Sequence, residues 1–137
     1  MPKTILNPPT VHAPVSDYSH ACKTDGGKML FVAGQVPVDI SGNLVGPGDL
    51  RMQFKQVLEN MKLVLEAGGV AFSNVVQTVT FLRDSEDVVE RFRAIRKELF
   101  PQYLPDGIYP PNTLLVVSSL YSKDVLVECQ ALAVIDQ

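Results

Sequence analysis

With 137 residues, 46% of them hydrophobic and 20% charged, the chain has the length and composition of one soluble globular domain covering residues 1–137. Its net charge of −3 and the lack of a basic tract argue against nucleic acid as a partner. No apolar stretch approaches the roughly 20 residues of a membrane helix, and the N-terminal residues are too polar for a secretory signal, so we expect a cytoplasmic protein.

The first 17 residues read as an extended lead-in that contains four prolines. Residues 18–23 (YSHACK) then predict a weakly patterned first strand. The DGG sequence at residues 25–27 is typical of a turn, and the apolar residues 29–33 predict a second strand after it. Glycine and proline at residues 41–48 predict a loop before the next element.

The first helix has the clearest pattern in the chain. Asp49 can cap it, Gly68 and Gly69 end it, and apolar side chains recur between them at helical spacing: Leu50, Phe54, Val57, Leu58, Met61, Val64 and Leu65. The β-branched residues 75–82 (VVQTVTFL) then predict a central strand.

A second helix is predicted to begin at Asp84 or Ser85 and to end before Pro101. Its apolar side is formed by Val88, Phe92, Ile95 and Leu99. We expect its charged residues to form a solvated face on the other side: Arg91, Arg93, Arg96 and Lys97.

Two more strands are predicted at residues 113–119 and 126–134, with residues 121–124 (YSKD) as the hairpin loop between them. The order β-β-α-β-α-β-β predicts an α+β fold in which two helices cover one face of a sheet. Apolar side chains would still line the other face, so we expect copies of the chain to associate through it.

The last strand carries polar residues that need an explanation. Alternation places Glu128, Gln130 and Leu132 on one face and Val127, Cys129 and Ala131 on the other. A carboxylate and an amide on one face indicate either a solvent-facing strand or a pocket that holds a water and a polar ligand. The spacing alone leaves both interpretations open.

Other chemistry has weaker support. Cys22 and Cys129 are expected to be free thiols that pack as small hydrophobic groups. His12 and His20 are too few for a metal site, although His20 beside Tyr18 could move a proton. The serines lack a nucleophile elbow and the glycines lack the spacing of a phosphate loop, so we expect neither a serine triad nor a nucleotide site.

Five segments in register resemble the Rid family (reactive intermediate deaminases, also called the YjgF family). Residues 33–39 (AGQVPVD) resemble its SGQ-[IV]-P motif, with Ala33 where a serine is common, and residues 53–69 resemble its first helix. Residues 76–84 resemble its K-T-x-V-F-[LV]-x-D strand. Residues 109–113 (YPPNT) and 127–133 (VECQALA) resemble F-P-A-R-[ST] and V-E-[IV]-E-A-x-A.

The resemblance implies a chorismate-mutase-like α+β fold and a homotrimer whose sheets form a closed barrel, with clefts between subunits. RidA-branch members hydrolyse enamines and imines such as 2-aminoacrylate to 2-keto acids and ammonia, without a cofactor. Carried over residue by residue, the substrate-binding positions are Tyr18, Ala33, Gly34, Asn112 and Thr113. Asn112 stands where the branch has an arginine that grips the substrate carboxylate, and Gln130 stands where it has a glutamate that positions water.

These two differences shape the functional hypothesis. Asn112 cannot supply a two-pronged guanidinium contact, and Gln130 can orient a water but cannot take its proton. We therefore predict a deaminase with Glu128 as its candidate base, a substrate larger than 2-aminoacrylate, and weak or no turnover of 2-iminopropanoate. Asn112 and Gln130 are expected to point into the same hollow.

Two other classes of function are weighed against the deaminase. A trimer that binds a small metabolite without reacting it is the main alternative. An endoribonuclease, an activity attached to some relatives, is disfavoured by the net negative charge.

Overall fold

The computed structural model describes residues 3–135. The predicted domain and lead-in also include residues 1–2, and the domain includes residues 136–137; these lie outside the described residues. Six strands and two helices follow one another in this range: β1 (Lys3–Leu6), β2 (Ala21–Thr24), β3 (Lys28–Gln35), α1 (Leu50–Ala67), β4 (Val75–Arg83), α2 (Val88–Leu99), β5 (Asn112–Val117) and β6 (Val127–Ile135). Short 3-10 turns at Phe72–Asn74 and Phe100–Gln102 precede β4 and follow α2. None of the helices in this range has both the length and the apolar character needed to span a bilayer.

The N-terminal segment is more structured than the sequence predicted. β1 and β2 form an antiparallel pair in which Lys3 lies opposite Thr24. The expected extended lead-in includes a paired strand at residues 3–6 that the sequence did not predict, and the first predicted strand begins three residues later than expected. The Lys3 ammonium donates to the backbone carbonyls of Ser73 and Val75 (2.8 and 3.0 Å), and these long-range contacts hold the short strand in place.

The main sheet has the strand order β3-β6-β4-β5. β6 runs antiparallel to both of its neighbours, whereas β4 and β5 are parallel. The predicted hairpin at residues 121–124 is therefore wrong, because β5 and β6 are not neighbours. α2 acts as a crossover connection that returns β5 parallel to β4, and β6 then occupies the opposite side of β4.

Helix α1 begins and ends at the predicted residues. The Asp49 carboxylate accepts a hydrogen bond from the N–H of Met52 (2.9 Å), and the N–H of Gly68 closes the last turn on the carbonyls of Val64 and Leu65. One predicted core position is wrong, since Val64 is exposed, whereas the polar Gln53 is fully buried.

Helix α2 begins at Val88, later than predicted, after Asp87 in the left-handed region (φ 53°). The expectation of a solvated charged face is correct for Arg91, Arg93 and Lys97 but wrong for Arg96, whose exposed fraction is 2%. Arg96 follows Phe92 by four residues and precedes Leu99 by three, so it lies within the apolar stripe.

Both helices pack on one face of the main sheet, as predicted. The helices contribute Phe54, Met61, Leu65, Phe92 and Leu99 to the core, and the sheet contributes Val32, Leu82, Val127, Cys129 and Ala133. Phe54 and Phe92 pack edge to face with ring centroids 4.7 Å apart and join the two helices. The opposite face, called the open face below, carries apolar side chains that include Phe31 (76% exposed) and Leu115 (39% exposed).

Candidate functional site

The alternation predicted for β6 is present. Val127, Cys129 and Ala131 are buried beneath the helices, whereas Glu128 and Leu132 are half-buried and Gln130 is exposed. Gln130 and Ala33, two of the predicted site residues, line one groove of about 410 Å³ on the open face. The other residues that line it are Phe31, Val32, Gln77, Val79, Ala131 and Leu132.

Glu128 lies directly against Gly34. A Cβ placed on Gly34 would overlap the carboxylate oxygen Oε2 and lie 2.8 Å from Cδ of Glu128. The pairing of β3 with β6 shifts register between Val32 and Gln35, and such an irregularity locally changes the direction of the strand. The absence of a side chain at residue 34 leaves the space in which the Glu128 carboxylate lies.

Thr113 shares the open face with Gln130. In the sheet register Val79 of β4 lies opposite Gln130 on one side and opposite Thr113 on the other. Residues aligned across neighbouring strands present their side chains on the same face. The open face therefore carries the side chains of three predicted site residues: Ala33 on β3, Gln130 on β6 and Thr113 on β5. Gly34 follows Ala33 on β3.

Asn112 points the other way. Its Nδ2 donates to the hydroxyls of Thr78 (2.9 Å) and Thr80 (3.0 Å), and Thr80 is buried on the side that the helices cover. Its Oδ1 accepts from Nη1 of Arg96 on α2 (3.2 Å). Within one protomer, the expectation that Asn112 and Gln130 point into the same hollow is therefore wrong, because Asn112 is aligned with Thr78 and follows its face.

Arg96 is the functional candidate that the sequence interpretation missed. Besides Asn112, its guanidinium reaches the hydroxyl of Ser16 through Nη2 (3.0 Å), and its Nε is buried without a hydrogen-bond partner. The guanidinium lies near the rings of Phe92 and Phe100, with Cζ 5.3 and 5.8 Å from their centroids. Burial lowers the pKa of Arg96, and the nearby Asp17 opposes this effect.

Tyr18 belongs to the same region of the molecule. It follows Ser16 and Asp17, and it is close enough to Arg96 to act on its charge. Its neighbour Ser19 forms a bridge with Pro111, directly before Asn112. Tyr18 is therefore close to the start of β5, where Asn112 accepts the hydrogen bond from Arg96.

The two histidines, His12 and His20, contact each other. Their rings meet edge to face with centroids 4.9 Å apart, and Nε2 of His20 lies 2.6 Å from the carbonyl oxygen of His12. Tyr18 also packs edge-on to His20 (5.8 Å). Among residues 3–135, no group of three or more His, Cys, Asp or Glu side chains could hold a metal ion.

Both cysteines are free thiols, as predicted. Burial raises the pKa of the Cys129 thiol to about 11, and the hydroxyl of Thr80 lies 3.7 Å from its sulfur. Burial also raises the pKa of the half-buried Cys22. Because the thiolate is the nucleophile, both shifts argue against cysteine catalysis at neutral pH.

Comparisons with known proteins agree on one family. The family profile described as endoribonuclease L-PSP matches residues 10–135. A RutC family protein of Synechocystis is 35% identical over 136 residues, covering 98% of each chain. A Salmonella typhimurium protein named 2-iminobutanoate/2-iminopropanoate deaminase is 32% identical over 134 residues, again covering 98% of each chain. The crystal structure of the Yersinia pestis protein YyfB, described as a Rid family protein of unknown function, superposes with a TM-score of 0.87 at 32% identity and covers 98% of this chain and 100% of its own.

Proposed function

The chain belongs to the Rid family, and from this membership we propose that it hydrolyses an enamine or imine to a carbonyl compound and ammonia. Family-level support comes from the relative named as a 2-iminobutanoate/2-iminopropanoate deaminase. The single observation that carries the proposal to this chain is the position of the Glu128 carboxylate, which lies on Gly34 beside the groove that Gln130 and Ala33 line.

The chemistry requires a water, a base and a proton for the leaving group. The Gln130 amide orients the water, and Glu128 takes its proton as the oxygen attacks the imine carbon. The C=N double bond becomes a C–N single bond, and Glu128 returns the water proton to the nitrogen, so the addition product carries a hydroxyl and an amino group on one carbon. Glu128 then takes the hydroxyl proton and passes it to the amino nitrogen, the C–N bond breaks as the C=O bond forms, and ammonia and the carbonyl product leave. No step uses a cofactor.

The proposed working form is a homotrimer with the open faces turned inward and substrate clefts between subunits. Support comes from the apolar side chains on that face, among them Phe31 and Leu115, which a single copy leaves exposed. The free thiols fit a reducing compartment, and we propose the cytoplasm.

The direct test is ammonia release from imines generated in solution by an amino-acid oxidase. We expect an enamine or imine larger than 2-aminoacrylate to be the better substrate, and 2-iminopropanoate to turn over weakly. Glu128→Gln should lower the rate about a hundredfold or more, which is the usual contribution of a general base. Glu90→Gln, a matched change at an exposed glutamate on α2, should leave the rate unchanged.

The main alternative is a binding protein that holds a small metabolite without reacting it. Gln130 favours it, because an amide cannot accept the proton of an attacking water. No ammonia above the uncatalysed rate from any imine, together with ligand binding that survives in Glu128→Gln, would establish this alternative.

The endoribonuclease description of the family is tested by incubating RNA with the protein at low salt, and the net charge of −3 leads us to expect no cleavage.

A further inference from the structure

The outer side of α1 carries a groove of about 350 Å³ that the proposed reaction does not use. It lies between α1 and the two short 3-10 turns, and a volume of this size is in the range of small-ligand sites. Six side chains of this groove, called the α1 groove below, are charged or aromatic: Lys55, Glu59, Lys62, Glu66, Phe72 and Tyr103. The apolar residues of α1 pack on the main sheet, so the α1 groove faces away from the core.

Near the start of α1 the polar groups of the groove satisfy one another. The Lys55 ammonium donates to the side-chain oxygen of Gln102 and to the hydroxyl of Tyr103 (both 2.9 Å). The Tyr103 hydroxyl donates in turn to Oε2 of Glu59 (2.6 Å). Burial and the Glu59 carboxylate raise the pKa of Tyr103, so the phenol stays protonated and keeps this hydrogen bond at neutral pH. This end of the groove is therefore a closed set of hydrogen bonds.

Further along α1 two opposite charges in the groove have no partner. Lys62 and Glu66 are exposed, and within residues 3–135 neither side chain forms an ion pair or a hydrogen bond. They lie four residues apart, about 6 Å along the helix axis. A lysine placed four residues before a glutamate is the less favourable order for a direct ion pair. Both charged groups are therefore available to a ligand in the groove.

An aromatic wall lines the same groove. The rings of Phe72 and Tyr103 pack against each other with centroids 5.0 Å apart, and both side chains are only half-buried. Their outer surfaces offer apolar contact to a ligand. The α1 groove thus combines a cation, an anion and an apolar wall, which together match a zwitterion with a hydrocarbon side chain.

We propose that the α1 groove binds a free α-amino acid with an apolar side chain. The ligand carboxylate accepts a hydrogen bond from Lys62, its ammonium donates to Glu66, and its side chain lies against Phe72 and Tyr103. Because an α-amino acid carries both charges on one carbon, it can bridge two side chains that are one helical turn apart. The site is separate from the groove on the open face, so it adds a ligand class and does not depend on the proposed deamination.

The first test is isothermal titration calorimetry with L-leucine at neutral pH in low-salt buffer. The controls are 4-methylpentanoate, which lacks the ammonium group, and 3-methylbutylamine, which lacks the carboxylate. We expect leucine to bind at least about tenfold more tightly than either, since each analogue loses one charge-assisted hydrogen bond. Glycine should bind at least about threefold more weakly than leucine, because it makes no contact with the aromatic wall.

Substitutions locate the bound amino acid. Lys62→Gln and Glu66→Gln should each weaken leucine binding about tenfold. Both residues are exposed, so we expect the two variants to fold like the wild type. Lys97→Gln and Glu90→Gln, matched changes at exposed residues of α2, should alter leucine binding less than about twofold.

Three results would each overturn the proposal. The first is leucine binding no tighter than that of glycine or of the singly charged analogues, and the second is wild-type binding by Lys62→Gln and Glu66→Gln. The third is loss of leucine binding in Glu128→Gln and not in these two variants, which would place the ligand in the open-face groove. Leucine binding through Lys62 and Glu66 in a chain that releases no ammonia would keep this inference and refute the proposed function. Ammonia release without leucine binding would do the reverse.

Discussion

Gly34 leaves the space in which Glu128, the proposed general base, lies. A methyl group at this residue would displace the end of the Glu128 side chain, which is flexible and can move at little cost. We therefore expect Gly34→Ala to change the free energy of unfolding by less than about 1.5 kcal/mol, the cost of a shifted rotamer. Ammonia release should fall about a hundredfold, because a catalytic group displaced by 1 Å loses that much.

The double variant Gly34→Ala/Glu128→Gln separates this effect from general damage. If Gly34 acts by positioning Glu128, the double variant should be no slower than Glu128→Gln alone. Unfolding in urea checks stability and a coupled ammonia assay checks the rate. A double variant whose loss of rate equals the losses of the two single variants combined would contradict the positioning role.

Sequence reasoning at the level of single residues succeeded where it used strand alternation. The faces of Glu128 and Gln130 follow from a period of two along β6. The face of Asn112 could not be predicted, because it depends on its alignment with Thr78 on a strand 34 residues away. Arg96 carried a readable signal, its position in the apolar stripe of α2, but an arginine on a helix is usually solvated.

Gln53 connects α1 to the start of β6. Its side chain is fully buried, donates to the carbonyls of Gly46 and Asp124 (3.1 and 2.9 Å) and accepts from the N–H of Leu126 (2.8 Å). Gln53→Met keeps the volume but leaves these backbone groups without partners. We expect the free energy of unfolding to fall by about 2–4 kcal/mol in urea denaturation, since each buried unsatisfied group costs about 1–3 kcal/mol.

Gln56→Met is the matched control on the same helix. Gln56 is half-buried and bonds to the side chain of Asn60, so its loss should cost less than about 1 kcal/mol. Equal losses in the two variants would show that Gln53 has no special connecting role.

The elements themselves were more predictable than their order in the sheet. Asp49 and Gly68 mark the ends of α1 because capping is a local interaction. The pairing of β5 with β4 was missed because two consecutive strands joined by a short loop favour a hairpin, whereas the crossover through α2 decides the arrangement. β1 was missed because its partner strand and the contacts of Lys3 are distant in sequence.

At the scale of the whole molecule, the open face decides whether copies of the chain associate. Phe31 is its most exposed large side chain, and a charge there would be buried in the proposed trimer. We expect wild-type protein to elute at three times the chain mass of 15.0 kDa and Phe31→Glu to elute as a monomer, measured by light scattering after size exclusion. Leu63→Glu, at an exposed residue of α1 (62% exposed), should leave the mass unchanged.

Either of two results would contradict this assembly: wild-type protein that is monomeric, or a Phe31→Glu variant with the wild-type mass.

The two-layer arrangement was predictable because both helices are amphipathic and cover one face only. Which polar side chains lie on each face of the main sheet could not be predicted, because this depends on the strand register and on the segment that joins β1 to β2.

The central position of β6 has a consequence for biosynthesis. β3 shares no ladder with β4 until the strand that ends at Ile135 is inserted between them. Within the main sheet, a nascent chain that has emerged only as far as β5 therefore holds one parallel strand pair and an unpaired β3, with apolar surface still uncovered. We expect the domain to acquire its native sheet only after translation has passed residue 135, and to rely until then on chaperones that shield exposed strand edges.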